Sequence, residues 1–106
     1  MPAQIVLTTY PDREGAKKAA RSMVERRLAA CANIMKVRSI YVWKGRLEDT
    51  EEYLVILKTL GRRASRLVKA IKEGHPYEVP EAIVLPISSI DSKYLGWLKE
   101  SLGGRA

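Results

Sequence analysis

Two hydrophobic rhythms alternate along this chain. Residues 5–10, IVLTTY, form a short β-rich run that Pro11 stops, and Asp12 then offers the N-cap of a helix. The period changes there: Ala16, Ala19, Ala20, Met23, Val24 and Leu28 are spaced by threes and fours, as one buried helical stripe requires. CANIMKVRSIYVW, residues 31–43, lacks that spacing and is rich in β-branched and aromatic types, so it reads as one strand. Its length exceeds the usual strand of about five or six residues. KGRLED places a glycine where a hairpin must turn. EEYLVILKT then returns as a strand, with Tyr53, Val55 and Leu57 alternating with Leu54 and Ile56.

The helical rhythm resumes in RRASRLVKAIKEGHP. Ala64, Leu67, Val68 and Ile71 share one face; Gly74 reads as a left-handed cap and Pro76 as the stop. VPEAIVLPI, bounded by Pro80 and Pro86, has the length and composition of a strand buried on both faces. A last helix, capped by Asp91, carries Tyr94, Leu95, Trp97, Leu98 and Leu102. The predicted order is β-α-β-β-α-β with an added C-terminal helix, an α+β fold of the ferredoxin-like, split βαβ type. No repeat or linker interrupts it, so residues 1–106 read as a single domain. Two helices cover one face of such a sheet. The C-terminal helix can shield part of the other, and further copies of the chain can shield the rest, so an oligomer is expected.

Composition narrows the functional classes. With 46% hydrophobic residues the chain can build a core of its own. No run of apolar residues is long enough for a membrane helix and the N-terminus has no leader-like pattern, so a cytoplasmic protein is expected. The single cysteine, Cys31, fits a reducing compartment and removes any CxxC site. The net charge is +7, with twelve of the nineteen basic residues in 13–27 and 58–72 and four acids in LEDTEE. That is a split surface, which reads as helices with solvated basic faces. RNA-recognition domains share the β-α-β-β-α-β order, but EEYLVILKT lacks their aromatic motif and the chain has no phenylalanine, so no specific nucleic-acid partner is expected. An enzyme is not expected either, since no nucleophile motif, glycine-rich phosphate loop or paired-carboxylate site accompanies His75.

Several separated motifs carry a family resemblance: TTYPD at 8–12, ERRLAACANI at 25–34, SIYVWKGRLED at 39–49, ILKT at 56–59, HPYEVPE at 75–81 and YLGWL at 94–98. Together they resemble the CutA family, the divalent-cation tolerance proteins, over nearly the whole chain. The resemblance implies a ferredoxin-like subunit similar to the PII signalling proteins, assembled as a homotrimer and associated with tolerance of copper and other divalent cations. It implies no obligatory cofactor. Members in which metal binding is discussed have a cysteine where this chain has Thr8 and a second histidine where it has Gly74. The candidate metal ligands that remain are His75 and Cys31, enough for weak copper binding. Cys31 also has a structural reading, as a small buried hydrophobe. The resemblance further implies a cleft between subunits, where Trp43, Lys58, Tyr77 and Glu78 are candidates to line a pocket for a metal ion, an anion or a small metabolite. An RNA-binding module, or a metabolite- or anion-binding regulator without metal, is the alternative.

Overall fold

The computed structural model describes residues 2–103. Seven elements follow one another: β1 (Ala3–Tyr10), α1 (Arg13–Glu25), β2 (Cys31–Trp43), β3 (Arg46–Leu60), α2 (Arg63–Gly74), β4 (Ile83–Pro86) and α3 (Ser92–Ser101). The sheet order is β2-β3-β1-β4, and each neighbouring pair is antiparallel. Thus β3 is slotted between β1 and β2, the ferredoxin-like arrangement with α3 appended.

Local chemistry sets most boundaries. Asp12 Oδ1 accepts from Gly15 N at 2.6 Å and starts α1; Asp91 Oδ2 accepts from Lys93 N and Tyr94 N and starts α3. Between β2 and β3 only Lys44 and Gly45 turn, both at positive φ (51° and 78°), as a two-residue hairpin on right-twisted strands requires. Two local expectations fail. Helix α1 ends at Glu25, Arg27 turns left-handed at φ 58°, and Val24 is exposed, so the buried stripe is shorter than its spacing suggested. Gly74 is the last residue of α2 and not a left-handed cap; His75 follows in extended conformation, which the residue before a proline favours.

Pairing register sorts the strands into two faces. Val6, Tyr10, Val55 and Leu57 pack under α1 and α2 against Ala16, Ala20, Met23, Leu67 and Ile71, forming the main core. On the opposite face Ala3 and Leu60 pack with Leu98 and Leu102 of α3, so the C-terminal helix does shield one end of that face. The rest lies open in the single chain, where Met35, Tyr41, Trp43, Ile83 and Leu85 are all exposed. β4 therefore corrects a third expectation: it is an exposed edge strand that pairs with β1 alone. An apolar run does not by itself show that a strand is buried within its own chain.

Candidate functional site

The open face carries two polar clusters, one near each end of the core-spanning part of β3. The first begins with Glu52. Its parity on β3 is that of Leu54 and Ile56, so its carboxylate enters an apolar row, and it is only 6% exposed. The loop after α2 folds over it. Tyr77 Oη donates to Glu52 Oε2 at 2.5 Å, a short bond to a charged acceptor. Burial first, then the bond to Glu52, pushes the Tyr77 hydroxyl well above its usual range.

His75 anchors that loop. Its ring stacks on Tyr10 with centroids 4.4 Å apart and lies 5.0 Å from the ring of Tyr77. Nδ1 accepts from Tyr77 N at 3.1 Å, which leaves the proton on Nε2, 2.7 Å from the Thr9 carbonyl oxygen. Burial holds the imidazole below its usual range, with the Thr9 carbonyl and Glu52 opposing that shift. His75 is a neutral brace with both nitrogens engaged.

Around this brace Thr9, Tyr41, Trp43, Glu52, Tyr77, Glu78 and Glu81 line a cavity of about 410 Å³. Lys44, from the hairpin turn, stands at its rim: Nζ is 5.6 Å from the centre of the Trp43 ring and 3.6 Å from Glu78 Oε2. Burial, and secondly the charge of Glu52, raises the Glu81 carboxyl.

The second cluster lies six residues along β3, about 20 Å away at a strand's rise per residue. Lys58 faces Cys31 across the β2–β3 ladder, with Nζ 3.9 Å from Cys31 Sγ and hydrogen-bonded to Asn33 Oδ1. Cys31 is partly buried. The Tyr94 hydroxyl of α3 is raised by burial and then by Cys31.

Of the residues singled out from the sequence, Trp43, Tyr77 and Glu78 thus share one cavity and His75 buttresses it. Lys58 and Cys31 lie together elsewhere, so within one chain neither joins the others. Thr9, Tyr41, Glu52 and Glu81 line the cavity without having been assigned to it from the sequence, and Glu52 is the most buried acid among them. The available signal was an acid standing in register with Leu54 and Ile56.

A transition-metal site fits these positions poorly. Among the described residues no group of three His, Cys, Asp or Glu side chains is placed to hold a metal ion. His75 would have to release Tyr77 N or Thr9 to free a lone pair. Thr8 is buried, and its Oγ1 has no hydrogen-bond partner among the described residues, but a lone neutral hydroxyl is a weak donor to copper.

The fold and cavity define a class: a ferredoxin-like α+β subunit with a half-open sheet face and a pocket under the loop after its second helix. Comparison with known proteins makes this specific. The family model described as "CutA1 divalent ion tolerance protein" matches residues 4–101, and the chain belongs to that family. It is 42% identical over 101 residues to the "Divalent-cation tolerance protein CutA" of Thermus thermophilus, covering 94% of this chain and 98% of that one. It is also 42% identical over 102 residues to "Protein CutA, chloroplastic" of Arabidopsis thaliana, covering 95% of this chain but only 56% of that protein. The chain thus spans about half the length of this plant relative. The crystal structure of CutA1 from Pyrococcus horikoshii superposes with a TM-score of 0.89 at 40% identity, covering 92% of this chain and 96% of that one. No helix among the described residues is long and apolar enough to cross a membrane.

Proposed function

We propose that this chain serves divalent-cation tolerance as a PII-like homotrimeric binding protein of the cytoplasm, not as an enzyme, with only weak copper binding. The observation that carries the reading is the family match over residues 4–101, shared with relatives named for cation tolerance. The geometry supports a binding role, since His75, the residue best suited to proton transfer near neutral pH, is engaged at both nitrogens in bracing a loop. Assembly is supported by the two free sheet edges, β2 and β4, which differ in length and sequence. A contact between unlike edges is head-to-tail, and head-to-tail contacts close into a ring when the rotation between copies is a whole fraction of a turn, one third for a trimer. Exposed Val42 at 68% and Leu47 at 72% supply apolar surface for such a contact.

Light scattering coupled to size exclusion tests the assembly. A mass three times the 11.9 kDa chain is expected, and a monomer at micromolar concentration would overturn it. Calorimetric titration with Cu(II) tests the metal reading: weak binding, little changed by His75→Ala, is expected. Tight binding abolished by that substitution would make His75 a metal ligand after all.

A further inference from the structure

We infer that the cavity between the start of α1 and the root of the β2–β3 hairpin is a binding site for a small organic phosphate. It lies on the helix side of the sheet. Tyr53 continues the row of Val55 and Leu57, which pack under α1 and α2, and Ile34 and Lys36 stand opposite Val55 and Tyr53 on β2. Arg13 and Lys17, about one turn apart on α1, reach the same space. Arg13, Lys17, Ile34, Lys36 and Tyr53 line a cavity of about 480 Å³, and this lining holds three cations and no acid. The open face, on the other side of the sheet, takes no part in it.

Local electrostatics leave this concentration of charge unresolved. Arg13 stands in the first turn of α1, where the helix dipole favours anions, and Lys17 follows at the spacing where like charges on a helix repel. Glu14 of the same turn answers the dipole but does not line the cavity. Among the described residues Arg13 and Lys17 form no ion pair, and Lys36 forms one, with Glu51 at 3.4 Å, in which both side chains are more than half exposed. An anion seated among the three cations relieves the repulsion and complements the dipole. The rest of the lining selects the kind of anion. Tyr53 packs against the main core and Ile34 is 39% exposed, so together they form an apolar wall that a bare inorganic ion would leave unused. A phosphate with an organic body uses both the cations and the wall.

The site stays open when copies assemble. Beyond Tyr53 the same side of the hairpin carries the ion pairs Lys36–Glu51 and Arg38–Asp49, whose side chains are all more than half exposed, and taking four such charges out of water would be costly. A strand added at the β2 edge lengthens the sheet sideways and does not roof its helix side. Other ligand classes fit less well. A metal cation is repelled by the lining. A nucleic acid would be held by the wider basic faces of α1 and α2 and would not depend on Lys36 or Tyr53. The inference rests on neither the metal reading nor the trimer.

The test is a calorimetric titration of the full-length protein, in the assembly it adopts in solution, with phenyl phosphate at constant ionic strength. Saturable binding is expected, about tenfold tighter than that of inorganic phosphate, which lacks the ring. Benzyl alcohol, which lacks the charge, should not bind. Lys17→Gln and Lys36→Gln should each weaken binding about fivefold, the loss of one charge-assisted contact. Glu51→Gln, which frees Lys36 from its competitor, should strengthen it about twofold. Lys69→Gln, at an exposed basic position of α2 outside the cavity, should leave binding unchanged. Far-ultraviolet dichroism shows whether each variant is folded. No saturable binding, or binding of inorganic phosphate or benzyl alcohol as tight as that of phenyl phosphate, would overturn the inference. So would a loss in Lys69→Gln equal to that in Lys36→Gln, unchanged binding in folded Lys17→Gln and Lys36→Gln, or weaker binding in folded Glu51→Gln.

Discussion

The inner and outer halves of β3 belong to one unbroken strand and meet different physics. From Tyr53 to Lys58 the strand lies between β1 and β2, and Thr59 and Leu60 continue against β1, with Val55, Leu57, Thr59 and Leu60 fully buried. From Arg46 to Glu51 it pairs with β2 alone, and its side chains are mostly exposed. The inner half is held by apolar burial and by ladders on both sides. The outer half is held by one ladder and by cross-strand ion pairs, Lys36–Glu51 at 3.4 Å and Arg38–Asp49 at 2.7 Å. Glu52 stands at the border, which is where the cavity forms. Burial is thus concentrated in one half of the strand, while the other half is left largely exposed in the single chain.

Breaking the inner half should cost most. Leu57→Ala removes a fully buried side chain from the main core and is expected to lower stability by about 2–5 kcal/mol in denaturant titration. A loss no larger than that of an exposed substitution would mean that the halves do not differ. At the border, Tyr77→Phe leaves Glu52 without its donor. A loss of about 1–3 kcal/mol is expected, with loosening of the loop seen as faster amide exchange at Tyr77 and Glu78.

In the outer half, Arg38→Ala breaks an ion pair whose side chains are both more than half exposed, so a change of only about 0–1 kcal/mol is expected by the same titration. Leu47→Ala should leave the far-ultraviolet dichroism of the chain unchanged while lowering the trimer population in light scattering.

The smallest effect is a slope with pH. Burial depresses the His75 imidazole in the folded chain, so as pH falls the unfolded chain takes up this proton first. The stability contributed by neutral His75 is complete above its usual value of 6.5. It declines as pH drops below that value, until the folded imidazole is protonated as well. Glu81, whose carboxyl is raised, acts with the opposite slope: its contribution is present below the usual value of 4.5 and is lost as pH rises through the folded value. Comparing wild type with His75→Asn across pH 4–7 isolates the histidine slope, which should be absent from the variant.

What the sequence determined by itself is the order of elements and most of their ends. Cys31 and Trp43 bound β2 where composition placed them, Asp12 and Asp91 cap their helices, and Gly45 turns the hairpin. These features depend on neighbours within a few residues, and propensity, period and capping chemistry act over that range. The motifs from TTYPD to YLGWL also identified the family, because several short patterns in a fixed order are specific even when each alone is not. Tertiary structure decided the rest. Alternation tells which strand residues share a face but not what covers that face, so the IVLP run of β4 reads as core and lies exposed at an edge. The cavity is assembled from β1, β2, β3 and the loop after α2, and only pairing register shows that Trp43 and Glu52 meet Tyr77 while Lys58 stands beside Cys31. Register follows from long-range packing of the whole sheet, and no window of local sequence carries it.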